Sequence, residues 1–499
     1  MLEEDGLTDA TGSSLCFNGI NGATGDYLLP PLRPRQVARL AANALLSPEE
    51  VEELKRRWAQ LREPHLAPIH RVDSGDLSKT GWGVIFAPEL TEAEKEALAP
   101  LLALRREQAG ALYQEFAGQK AIRSGDTKQS FLGRCKAGPG PVDPKKVPYY
   151  LLIVGSPESI PYRFQYQLDV QYAVGRLHFD TLEGYARYAR TVVEAERGTF
   201  YRPREVAFFG VRNHADRATQ LSADHLVKPL AKHFAQEEPS WETGNWVADQ
   251  ATRTNLARLL GGNHTPALLL SASHGMGFPT GDPRQLQHQG AILCQDWPGP
   301  LRHRGPLTEE FYFAGDHVTD NADVRGLIAF FFACFGGGTP KTDEFAHLVG
   351  GPGATIAPRA FVAGIPKRLL GHPNGALAVI GHVDRAWTYS FIWDRAGEQL
   401  AVFQSAISAL LNGQRIGFAM ESFNSRYAEL ASDLCSELED RTYRRARPEI
   451  DTLPEDQALA GLWTANNDAR SYVVLGDPAV RLAVSSQAQG TGEQGENTD

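Results

Sequence analysis

Two apolar runs of this chain end on side chains that can do chemistry. ALLLSASHG, residues 267–275, closes on His274, and LIAFFFACFG, residues 327–336, closes on Cys334. Gly275 directly follows His274, and glycines follow Cys334 after Phe335, which allows another backbone to come close. A parallel α/β sheet carries its chemistry at such carboxyl ends. If the two runs are neighbouring strands, His274 is placed to act as general base toward the Cys334 thiol. The backbone amides of Gly275 and Cys334 are then the natural donors to a developing oxyanion. Such a dyad needs no third residue.

Other candidates are weighed against it. His382 ends a third apolar run, ALAVIGHVDRAW, but Val rather than Gly follows, so His382 and Trp387 are assigned to the lining of a substrate pocket. The string GGGTPKT at 336–342 fails as a phosphate loop because Pro340 stands where a glycine should precede Lys341. No cofactor is implied. The five cysteines are far apart and form no CxxC pair, which suggests neither a disulfide framework nor a metal site.

The elements that must position the dyad are legible as alternating strand and helix patterns. GWGVIFA (81–87), YYLLIVG (149–155), EVAFFGV (205–211) and ALAVIGHV (376–383) read as strands. Helices are expected over TEAEKEALAPLLALRREQAGALY (91–113), with Thr91 and Glu94 at capping-box spacing, over 181–198, 217–235 and near 252–262, and within 397–436. A further helix is expected over 47–63, with Ser47 as its N-cap. The stretch 121–148 reads as a surface loop, and 276–320 as a long Gly/Pro/Gln-rich insertion able to wall a cleft. This alternation predicts an α/β fold with a mainly parallel sheet and helices on both faces. The expected divisions are an N-terminal extension or cap (1–78), a first α/β subdomain (79–200), a catalytic α/β subdomain (201–485) and a disordered tail (486–499).

Composition narrows the class. The 499 residues are 42% hydrophobic, and 50 basic against 60 acidic residues leave a net charge of −10 without long single-sign runs. A nucleic-acid surface is not expected, nor is a membrane partner, since no run of about 18 apolar residues occurs. The acidic N-terminus lacks a secretory pattern, so a cytoplasmic location is expected.

Beyond these readings, the chain resembles the gingipain-like cysteine peptidases of the caspase-hemoglobinase fold clan over about residues 80–482. The likeness rests on YYLLIVGSPESIPYRFQYQLDVQYAVGRL (149–177), on LLLSASHG and FFFACFGG, and on the closing SYVVLGDPAVRL (471–482). It implies an α/β/α sandwich of two α/β subdomains, with His274 and Cys334 as catalytic residues and Asp169 as a pocket acid selecting Arg or Lys. Two departures stand out. The family's secretion signal is missing, and Phe332 occupies a position where some relatives carry an acid. The resemblance further implies a protein or peptide substrate, an upstream activating protease or regulatory partner, and a zymogen serving bacterial antiviral defence or cell death. The basic loop at 123–146 is a candidate for the activating cut. Competing readings are a catalytically silent scaffold of the same fold and a thiol acyltransferase.

Overall fold

The computed structural model describes residues 18–28, 37–38, 73–345, 355–393, 396–445 and 456–485. The expected helix over 47–63 and the tail from 486 lie outside them. Among the described residues, ten strands form one sheet. Their order across it is Tyr113–Phe116, Trp82–Phe86, Tyr150–Val154, Ala173–Leu177, Tyr472–Gly476, Ala378–His382, Ile328–Phe332, Leu268–Ala272, Glu205–Gly210 and Glu242–Val247. The first five are parallel to one another and so are the last five. The two sets meet antiparallel where Ala378–His382 pairs with Tyr472–Gly476. This is the expected α/β architecture with a mainly parallel sheet. Six adjacent strands, from Tyr150–Val154 to Leu268–Ala272, are buried at every position, so both faces are covered. No described helix is long and apolar enough to cross a membrane.

Local departures from the sequence reading have physical causes. The 91–113 pattern breaks at Leu98, just before Pro100, into helices Glu92–Ala97 and Ala99–Ala109. The first is closed by the expected box, with the Glu94 amide donating to Thr91 Oγ1 at 3.3 Å and the Thr91 amide to Glu94 Oε2 at 2.7 Å. Tyr113–Phe116 is an edge strand rather than a helix end, because pairing with Trp82–Phe86 outweighs its weak local preference. Within 121–148 a short helix, Lys128–Arg134, is capped by Thr127 and anchored by buried Phe131 and Leu132. The 276–320 insertion is itself folded. Its short strands Gly275–Gly277, Ile292–Leu293 and Tyr312–Phe313 join Gly19–Asn21 in a second, four-stranded sheet over an apolar cluster that includes Ile20, Met276, Trp297 and Tyr312.

The strand Tyr472–Gly476 is bound into the first set of strands by the aspartate that follows it. Asp477 accepts the Trp82 indole N–H at 2.9 Å and Arg105 Nε at 2.7 Å, while Arg105 also pairs with Glu196 at 3.0 Å. Arg105 is fully buried, so its charge persists only because two carboxylates offset its desolvation. The same burial raises the Glu196 carboxyl, but the guanidinium groups of Arg105 and Arg415 outweigh it and bring the group down to about 2. Removing one partner leaves charge buried without compensation. Asp477→Ala is therefore expected to destabilise the fold by about 3–5 kcal/mol, read from the urea unfolding midpoint. A change under about 0.5 kcal/mol would contradict this role.

Candidate active site

The site begins with a register. The histidine-bearing strand Leu268–Ala272 and the cysteine-bearing strand Ile328–Phe332 are direct parallel neighbours, with Ala272 opposite Phe332. His274 and Cys334 each lie two residues past that last pair, so the sheet brings the two turns together at one carboxyl edge. The Ser273 amide still donates to the Phe332 carbonyl at 3.2 Å. Beyond it the backbones touch. A Cβ at position 275 would stand 1.7 Å from the Cys334 carbonyl oxygen, so the residue after His274 must be glycine.

His274 is held by a residue that the sequence reading did not select. Its Nε2 lies 2.7 Å from Asp216 Oδ2. Asp216 starts the helix Arg217–Ser222, in the loop after Glu205–Gly210, the strand on the other flank of the histidine strand. The Thr219 hydroxyl donates to Asp216 at 2.6 Å and the Tyr27 hydroxyl at 2.5 Å. Burial alone would raise the Asp216 carboxyl, but His274, Thr219 and Tyr27 outweigh it and hold the group below its ordinary value. As a carboxylate it accepts from Nε2–H, which leaves Nδ1 as the basic ring nitrogen. That Nδ1 is buried and has no hydrogen-bond partner. The rings of Tyr27 and Trp297 stand edge-on to the imidazole at 5.6 and 6.3 Å.

Cys334 is fully buried, and burial pushes its thiol above the usual cysteine range. The Ala386 amide donates to Sγ at 3.3 Å and partly offsets the shift. Sγ makes no hydrogen bond to His274 in this state; its partner is Ala386, in the loop after Ala378–His382.

The two expected oxyanion donors converge on one atom. The Gly275 amide donates to the carbonyl oxygen of Asn18 at 2.8 Å, and the Cys334 amide donates to the same oxygen at 3.1 Å. Asn18 is also held by its own amide, which donates to the Ala386 carbonyl at 3.1 Å, and by its side-chain Nδ2, which donates to the Ser273 carbonyl at 3.0 Å. From there Gly19–Asn21 runs parallel to Gly275–Gly277.

The remaining predicted site residues lie elsewhere or face elsewhere. Asp169 is partly buried and lines a small recess with Val174, Gly417, Met420, Asn424, Tyr472 and Val474. One of its oxygens accepts the Val174 amide at 3.2 Å, and burial raises its carboxyl well above the ordinary range. His382 packs against the rings of Tyr472 and Phe332 at 3.9 and 5.4 Å and lies 3.3 Å from Asp468. Trp387 adjoins Ala386, but its ring packs on Phe345 at 4.7 Å and its amide donates to Asp468 at 2.8 Å. Asp216, Asn18 and Ala386 are the site residues that reading the sequence missed. An acid shortly after a strand was the available signal for Asp216; nothing local marks the other two.

Comparison with known proteins adds the following. No family model matches the chain, and no curated protein matches it. Among solved structures, the complex of pro- and mature domains of RgpB from Porphyromonas gingivalis is similar at 13% identity and a TM-score of 0.47, over 80% of this chain and 79% of that one. A second, described as "Structure of Protease", is similar at 12% identity and a TM-score of 0.45, over 80% and 78%. At these values the likenesses assign no residue a role.

The Asp216 pairing has a pH signature. Its folded carboxyl titrates below the unfolded value of about 3.9, so the stability it contributes is present above about pH 4 and is lost as pH falls through the folded value. Asp216→Asn should flatten the acid limb of a plot of urea midpoint against pH. An unchanged acid limb would contradict the pairing.

Proposed function

We propose that the chain is a cysteine endopeptidase in which Cys334 is the nucleophile, His274 the general base and acid, and Asp216 the group that orients His274. The observation that carries this reading is the convergence of the Gly275 and Cys334 amides on one carbonyl oxygen at 2.8 and 3.1 Å. Two fixed donors at that spacing stabilise a tetrahedral oxyanion without reorganising during reaction.

The chemistry follows from the protonation states. The Cys334 thiol gives its proton to the free Nδ1 of His274 as Sγ attacks the substrate carbonyl carbon. Electrons move onto the carbonyl oxygen, between the two amides. When the C–N bond breaks, the imidazolium returns the proton to the leaving amine, and a thioester remains. Water then attacks the thioester, with Nδ1 taking its proton, and releases the carboxylic acid and the thiol. Asp216 keeps Nε2 protonated throughout, which reserves Nδ1 for these transfers.

The proposed setting, an activatable protease of a bacterial defence or cell-death pathway, comes from the family resemblance alone, and its cytoplasmic location from the acidic, polar N-terminal sequence. The same resemblance carries the preference for Arg or Lys through Asp169. The contact that Asp169 makes is with the Val174 amide at 3.2 Å, in a partly open recess, and it gives that preference no separate support. The test is a panel of fluorogenic peptides differing only at the residue before the scissile bond, run with wild type, Cys334→Ala, His274→Ala and Asp169→Ala. Turnover should vanish in Cys334→Ala, fall by at least about 100-fold in His274→Ala, and persist in Asp169→Ala. Turnover undiminished in Cys334→Ala would overturn the peptidase reading, and its collapse in Asp169→Ala would restore the basic pocket.

A further inference from the structure

Asn18 sits where a peptidase holds the residue before a scissile bond. Each polar group of its main chain has a partner at the site. Its carbonyl oxygen takes both oxyanion donors, and its amide is bound to the Ala386 carbonyl at 3.1 Å. Ala386 is also the residue whose amide reaches Cys334 Sγ at 3.3 Å, so one residue fixes both the thiol and the peptide that faces it. The Asn18 side chain is fully buried, and its Nδ2 donates to the Ser273 carbonyl at 3.0 Å. That contact suits a short carboxamide. A carboxylate there would set negative oxygen against the Ser273 carbonyl. The contacts on the following residues explain how the bond is presented: Gly19–Asn21 is paired with Gly275–Gly277, and the Leu28 amide closes back on the Gly19 carbonyl at 3.2 Å.

We propose that the Asn18–Gly19 peptide bond is the chain's own first substrate, cut by Cys334 of the same molecule after a carboxamide read by the Ser273 carbonyl. This rests on the peptidase reading above and adds to it a cleavage site and a substrate class. Sγ bonds to the Asn18 carbonyl carbon, and the C–N bond to Gly19 breaks. The proton held on His274 passes to the new amine of Gly19. One water hydrolyses the thioester, leaving a carboxylate on Asn18 and the thiol on Cys334. Gly19–Asn21 stays in its sheet after the cut, so the amine remains near the thioester and religation competes with hydrolysis; hydrolysis frees the Asn18 carboxylate end to depart. Until then the Asn18 carbonyl occupies the donors that a second peptide needs. Peptide turnover should therefore rise in step with self-cleavage.

The experiment follows the full-length chain by intact mass and N-terminal sequencing, over a tenfold range of protein concentration, with fluorogenic peptides carrying Asn, Arg or Lys assayed on the same samples. Wild type, Cys334→Ala, the near-isosteric Cys334→Ser and Asn18→Asp are compared. The expected result is a new terminus at Gly19 in wild type, forming at a rate independent of concentration, absent from both Cys334 variants and slowed at least tenfold in Asn18→Asp. Cys334-dependent peptide turnover with Asn18–Gly19 intact, or with a cut within 123–146 instead, would overturn this inference and leave the peptidase standing. A Gly19 terminus that also forms in the Cys334 variants would overturn it as well. Neither self-cleavage nor peptide turnover would overturn both proposals.

Discussion

The in-register parallel pairing of Leu268–Ala272 with Ile328–Phe332 is the constraint on which the site depends. Side chains alternate along a strand, so slipping this register by one residue would turn the alternating side chains of one strand to the opposite face and carry its reactive residue out of position. Burial of every residue in both strands makes such a slip costly. The contact between Gly275 and the Cys334 carbonyl then converts strand adjacency into a cradle, because only a residue without Cβ lets the two turns meet. The neighbouring strands supply the rest: Glu205–Gly210 leads to Asp216 on one flank, and Ala378–His382 leads to Ala386 on the other.

Burial works in two directions at this edge. It pushes the Cys334 thiol above the usual cysteine range. It also strengthens the interactions that remain, since the hydrogen bonds between Asp216 and His274 and from the two amides to the Asn18 carbonyl lie away from water. On the proposed reading, the thiol gives up its proton to the imidazole only as a carbonyl is seated between the two amides. The Asn18 segment supplies such a carbonyl from within the chain.

Much of this was legible in the sequence because buried parallel strands read as continuous apolar runs, and the residues that stop them are conspicuous. His274, Gly275 and Cys334 were chosen on that ground, and the structure places them together. Asp216 was not chosen because its partner is set by strand order across the sheet, which no local pattern encodes. Asn18 was missed for a similar reason: it lies 255 residues from the Ser273 carbonyl that it contacts. Tyr113 was read as the end of a helix because the pairing partner of Tyr113–Phe116, not its composition, makes that segment a strand. Asp169 was selected by likeness to a family segment, and it lines a small recess whose other walls come from residues distant in sequence, including Gly417, Met420 and Tyr472.

The most direct test of the central claim, a Cys334 nucleophile driven by His274 in a two-amide cradle, is the site and rate of labelling by a peptide acyloxymethyl ketone. This reagent presents a carbonyl to the cradle and leaves its mark on the attacking sulfur. Peptide mapping by mass spectrometry should find one equivalent on Cys334, none on the buried Cys135, Cys294 or Cys435, and a rate at least about 100-fold lower in His274→Ala. Labelling of another cysteine, or of Cys334 at an unchanged rate without His274, would contradict the account.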